Sequence, residues 1–240
     1  MIGPRDPRLG AGRVQLLICD CDGVLVDSEA SGNSFIAEYL TGLGFPTTEN
    51  DALDKYVGRA ISSVKDLVES EFGRPLPVDF IEQCSRAETE AVLPTLRSFD
   101  GVHDALDLIA SAGLLISVAS GGTVEKMHAT LGKTDLLDRL LPWLVSSEDV
   151  GPGKPAPDVF LAAAAQRGVE PRHCVVIEDS APGLAAARAA GMATIGFASH
   201  LPAAELISLG ADVAVQRWPD LPALLGVPAL LGVRTTATGE

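Results

Sequence analysis

Positive charge is scarce in this 240-residue chain: 18 Lys and Arg stand against 32 Asp and Glu, a formal net charge of −14, and no basic cluster reverses the balance locally. Such a field repels nucleic acid and anionic lipid, so neither is an expected partner. Long apolar runs are missing as well. None approaches the roughly 18 residues that a spanning helix needs, and the opening MIGPRDPRLGAGR holds no apolar stretch of the secretory kind. The four cysteines, Cys19, Cys21, Cys84 and Cys174, show neither CxxC spacing nor an even framework. That favours small apolar fillers in a reducing compartment over a disulfide scaffold. Internal repeats and long low-complexity stretches are absent. The expectation is a soluble, cytoplasmic protein, a monomer or weak dimer, in which any anionic ligand needs a local site working against the global charge.

What is present is enough apolar material, 47% of the residues, for a sizeable core in one large domain or two unequal ones. Short β-favouring runs recur at VQLLI (14–18), LLISVA (114–119), CVVIE (174–178), MATIGF (192–197) and ADVAV (211–215). Helical patterns at 101–112, 157–167 and 181–190 lie between them. This alternation predicts an α/β fold, a Rossmann-like parallel sheet sandwiched by helices. From Ala30 to Leu96 the rhythm breaks into successive helices, SFIAEYLTGLG, SSVKDLVESEFG and VDFIEQCSRAETEAVL, without a convincing strand. The predicted organisation is a core of residues 1–29 and 97–240 with a helical domain of 30–96 inserted in it. The tail RTTATGE reads as disordered.

Polar residues gather at the strand ends. Asp20 and Asp22 follow the first strand; Ser120, Gly121 and Gly122 follow the second; Lys154 stands in GPGKPAPD ahead of a helix; Glu178 and Asp179 end CVVIE. In a parallel sheet these ends face one way, so all of them can meet in a single cleft. Clustered acids repel and are costly to bury unpaired, hence they need a cation, and hard oxygen donors in this number suit Mg²⁺. Lys154, the Ser120 hydroxyl and the backbone of Gly121 and Gly122 suit phosphoryl oxygens. One carboxylate can attack phosphorus while the other transfers protons, and on an extended chain residues two apart share a face. Taken alone, Asp-Gly after a strand is a turn signal and Lys154 a solvated lysine; the set of four carries the reading.

DCDGVLVDSE, VASGG, GKPAPDVF and VIEDSAPGLAAARAAGM resemble the four motifs of the haloacid dehalogenase-like superfamily, in its β-phosphoglucomutase-like phosphatase branch. The resemblance implies Asp20 as nucleophile and Asp22 as general acid/base and, through its carbonyl, metal ligand. Ser120, Gly121 and Lys154 would hold the phosphoryl group, and Asp20, Asp22, Glu178 and Asp179 the Mg²⁺, with Glu178 either a direct ligand or a supporting partner. The family's helical cap after the first motif corresponds to the 30–96 insert. The second aspartate argues against the dehalogenases. The β-phosphoglucomutases resemble this chain but carry a histidine at the position of Gly32 and an arginine ending a GxxR segment where this chain has GRAI, Gly58 to Ile61. A mutase needs a clamp for a second phosphate, so hydrolysis of a small phosphorylated metabolite, a sugar or polyol phosphate, is expected ahead of hexose-phosphate mutation. Glu29, at the junction where the core meets the insert, and Arg59 within the insert are the candidate substrate contacts.

Overall fold

The computed structural model describes residues 14–56 and 59–227, with side chains throughout except at 29–34 and 53. Six parallel strands form one sheet: β1 (Leu16–Cys19), β2 (Leu115–Ser120), β3 (Leu144–Ser146), β4 (Cys174–Glu178), β5 (Ala193–Phe197) and β6 (Val213–Val215), in the order β3-β2-β1-β4-β5-β6. Strands β1, β4 and β5 are buried along their whole length, which is why they read as continuous apolar runs rather than as alternation. The fold class expected from the sequence is the one observed, and β3 is the addition to it. Its three residues, LVS, come soon after a proline and run straight into SED, too short to stand out as a strand.

The helices are α1 (Glu29–Gly42), α2 (Glu49–Lys55), α3 (Ile61–Phe72), α4 (Phe80–Val92), α5 (Val102–Ser111), α6 (Val124–Lys133), α7 (Leu137–Leu140), α8 (Ser147–Val150), α9 (Asp158–Arg167), α10 (Ala181–Ala189), α11 (Ala203–Ser208) and α12 (Leu221–Leu224). One face of the sheet packs Leu17, Cys19, Val118, Val175 and Ile177 against Leu106 and Ile109 of α5, Met127 and Leu131 of α6, and Trp218. The other packs Leu16, Ile18 and Val176 against Phe160 and Ala163 of α9 and Ala186 of α10. No helix among the described residues is long and apolar enough to cross a membrane. All four cysteines are buried and free.

Helices α1 to α4 build a separate apolar cluster around Leu40, Phe45, Tyr56, Val64, Val68 and Phe80. Helix α2, absent from the sequence expectation, is short and polar; a capping box defines its start, with Thr48 accepting from the Asp51 N–H and Asp51 accepting from the Thr48 N–H. The chain leaves the sheet and returns to it side by side. Val26 bridges Ser98 antiparallel, the Asp27 N–H donates to the Arg97 carbonyl and the Phe99 N–H to the Leu25 carbonyl.

Trp218 fastens the C-terminal part of the chain to the loop after β1. It is fully buried, and its indole N–H donates to the Val24 carbonyl at 2.8 Å. Trp218→Phe keeps most of the apolar contact but strands that buried carbonyl. The expected loss of stability is about 1–3 kcal/mol, measured by urea unfolding.

Candidate active site

The topology reverses at β1, whose neighbours are β2 on one side and β4 on the other, and clefts form at such a switch point beyond the carboxyl ends. The register pairs Cys19 with Val118 and with Ile177. One residue further along, Asp20, Ala119 and Glu178 therefore stand at the same level on three adjacent strands. The Lys154 ammonium meets all three: 2.6 Å to Asp20 Oδ1, 2.7 Å to Glu178 Oε1 and 3.2 Å to the Ala119 carbonyl. These engage the three donors a lysine has. At 1% exposure this is the opposite of a solvated lysine.

Glu178, with no exposed surface, is held on its other oxygen as well. Oε2 accepts from the backbone N–H groups of Asp179 and Ser180, both at 2.9 Å, and from the Ser180 hydroxyl at 2.8 Å. The same hydroxyl caps α10 by accepting from the Gly183 N–H. Gly183 is glycine by necessity here, because a Cβ would lie 1.8 Å from Glu178 Oε1.

Asp20, Glu178 and Asp179 each offer a carboxylate oxygen within 4.8 Å of one another, all three residues buried. Octahedral Mg²⁺ at roughly 2.1 Å from its ligands spans a shell of about 4 Å, so small rotations would bring these oxygens onto one ion. The electrostatics ask for such an ion. Burial pushes the Asp20 carboxyl up, Glu178 adds to the rise, and Lys154 offsets only part of it, leaving a pKa of about 7. Burial pulls Lys154 the other way, but its two carboxylates more than compensate and raise it. One ammonium between two acids, with Asp179 alongside, leaves the cluster short of positive charge.

Asp22 is held apart from this group. Ser28 donates to its Oδ1 at 2.7 Å, and Lys126 of α6 lies 3.1 Å from its Oδ2. Burial disfavours its charge, yet Lys126 and Ser28 together keep it below the ordinary carboxylate value. Ser120 is buried at the end of β2, where its Oγ accepts from the Gly122 N–H at 3.0 Å. Ser146, from the strand the sequence did not reveal, fixes the same loop by donating to the Gly122 carbonyl at 2.7 Å.

The insert lies against these loops. A Cβ at Gly121 would meet the Arg59 carbonyl at 3.0 Å, and one at Gly153 would meet Ala60 Cβ at 2.7 Å. Glu148 accepts from the Ser62 N–H at the start of α3, 2.9 Å away. The Arg59 side chain turns elsewhere: Nε donates to the Lys55 carbonyl at 2.8 Å, and the residue lines a groove with Asp54, Ser70 and Glu71. Among the described residues it makes no polar contact with the acidic cluster. Glu29, the other sequence candidate, begins α1, and its side chain lies outside those described, as do Gly58 and the C-terminal tail.

Sequence reasoning missed Lys126, Ser146, Ser180 and Glu148. Lys126 did leave a signal, since it shares the buried stripe of α6 with Met127, Thr130 and Leu131. Next to Glu125 it passes for a solvated helix lysine.

The haloacid dehalogenase-like hydrolase pattern matches residues 14–191. Hexitol phosphatase B of Escherichia coli (strain K12) is 32% identical over 180 residues, covering 74% of this chain and 81% of its own. The 6-phosphogluconate phosphatase of the same organism is 29% identical over 192 residues, covering 77% and 83%. Among solved structures, a HAD family hydrolase from Deinococcus radiodurans R1 with bound phosphate and sodium superimposes with a TM-score of 0.66 at 28% identity, covering 90% of this chain and 99% of that one.

Between its ordinary 3.8 and about 7, folded Asp20 keeps a proton that the unfolded chain has lost. Without a divalent cation, this group therefore subtracts stability as pH rises through that window. In chelator, Asp20→Asn should melt above the wild type at pH 8, and the gap should close on descending to pH 4. Calorimetry across that range checks it, and a gap independent of pH contradicts the assignment.

Proposed function

The chain belongs to the haloacid dehalogenase-like hydrolase family, and from that premise we propose that it is a Mg²⁺-dependent phosphatase releasing inorganic phosphate from a small sugar or polyol phosphate through an aspartyl-phosphate on Asp20. The observation that carries this reading is the meeting of Asp20, Lys154, Glu178 and Asp179 at one buried point. The relatives named as hexitol and 6-phosphogluconate phosphatases support the substrate class.

In this reading, an ion held by Asp20, the Asp22 carbonyl, Glu178 and Asp179 supplies the charge that lets acids and phosphoryl oxygens share the cleft. The chain's own groups do the rest. Asp20 attacks phosphorus and displaces the alcohol; Asp22, ionised at rest beside Lys126, takes up a proton as the anionic substrate binds, gives it to the leaving oxygen, then takes one from the water that cleaves the acyl phosphate. Lys154 has all its donors engaged, and the Ala119 carbonyl, the longest of its three contacts, is the one a phosphoryl oxygen replaces. Ser120 and the Gly121 backbone receive the other oxygens. The helical insert, resting on Gly121 and Gly153, acts as a cap that excludes water and reads the leaving group.

The test is phosphate release from sorbitol 6-phosphate, 6-phosphogluconate and β-glucose 1-phosphate, with Mg²⁺ and with chelator. Turnover should require the metal and fall by orders of magnitude in Asp20→Asn. Conversion of β-glucose 1-phosphate to the 6-phosphate without free phosphate would replace this reading with a mutase. The lack of an arginine at Ile61 weighs against that outcome.

A further inference from the structure

Lys126 and Lys154 are the two buried lysines among the described residues, and the mechanism above uses only the second. Lys126 occupies the first turn of α6, whose start is capped by Thr123 accepting from the Lys126 N–H. A buried ammonium there is disfavoured twice, by lost hydration and by the positive end of the helix dipole. Two carboxylates answer it. Asp22 Oδ2 lies 3.1 Å from Nζ on the core side, and Glu88 Oε1 of α4 lies 3.0 Å away on the side of the insert. One turn earlier along the same two helices, the Ser85 and Thr123 hydroxyls stand 3.3 Å apart, so α4 and α6 meet at two polar contacts in register.

We propose that Glu88 is a positioning residue for proton transfer at Asp22, acting through Lys126. Asp22 has one oxygen fixed by Ser28, and the other takes its direction from an ammonium that Glu88 anchors from outside the core. Glu88 itself makes no described contact with Asp22 or with the acidic cluster, so its influence on chemistry passes through Lys126. Without that anchor the ammonium follows Asp22 alone, and the carboxylate loses the fixed orientation that Ser28 and Lys126 together give it. This rests on the phosphatase reading and adds to it a residue of the insert that acts on the chemical step.

The two half-reactions separate the possibilities. In the first, the Asp20–phosphorus bond forms, the bond to the leaving oxygen breaks, and an alkoxide leaving group takes the Asp22 proton. In the second, water adds to phosphorus, its proton passes to Asp22 and the Asp20–phosphorus bond breaks. A p-nitrophenolate leaving group departs as a stable anion, so the first half-reaction with p-nitrophenyl phosphate does without Asp22, whereas the second still needs it.

Glu88→Gln in the Mg²⁺-loaded protein should lower kcat for sorbitol 6-phosphate about tenfold or more, a fraction of the 10²–10⁴ that a placed proton-transfer group supplies, with KM little changed. With p-nitrophenyl phosphate in stopped flow, the same variant should release the first equivalent of p-nitrophenolate at the wild-type rate and then turn over slowly. Glu88→Gln should add nothing in a Lys126→Met background or, should that protein not fold, in Lys126→Gln. An unchanged kcat, a change in KM alone, or an equal slowing of the first equivalent and of later turnovers would overturn the inference. A wild type inert toward every phosphomonoester would overturn the phosphatase reading on which it stands.

Discussion

One buried ammonium holds this molecule's site in shape. Lys154 touches three adjacent strands at a single level, and its charge is what allows Asp20 and Glu178 to face each other where water does not reach. Removing that ammonium typically costs about 3–5 kcal/mol, because two buried acids are then left without compensation. The surroundings are fitted to that contact. Glu178 is locked by three donors on its far oxygen, Ser180 serves Glu178 and the helix cap together, and Gly183 yields the space the carboxylate fills. The arrangement still falls short of neutrality, and the raised pKa of Asp20 records the shortfall. A divalent cation is thus called for by the protein's own electrostatics as well as by its family.

The second lysine works on a different scale. Lys154 joins elements within the sheet, whereas Lys126 joins the sheet's acid, Asp22, to a helix of the insert. Glu148 and Ser62 add a third link across the same boundary. Polar contacts thus join the insert to the loops of the sheet, whereas an apolar cluster holds the insert together internally.

Most of the sheet was legible because strands buried on both faces need no alternation to be seen: apolar runs such as CVVIE announce themselves. Strand β3 was not, since three residues after a proline carry no period, and with it went Ser146 and its grip on the Gly122 loop. The acids and Lys154 were legible for a topological reason. In a parallel sheet, polar residues just past apolar runs are brought to one edge whatever their separation in sequence. Lys126 and Glu88 escaped notice because each sits on a helix surface where charge is the norm, and only the approach of α4 to α6 makes them partners. Arg59 shows the converse: the sequence gives its place at the start of a helix within the insert, but the direction of its side chain follows from the Lys55 carbonyl.

The bridge between Val26 and Ser98 carries an implication for how such proteins diversify. Because the outgoing and returning chains are already joined, about 5 Å apart, whatever is spliced between them starts and ends at nearly one point. Its closure entropy then grows only slowly with length. Lineages could exchange, enlarge or trim the intervening segment while Asp20 kept its place just past β1.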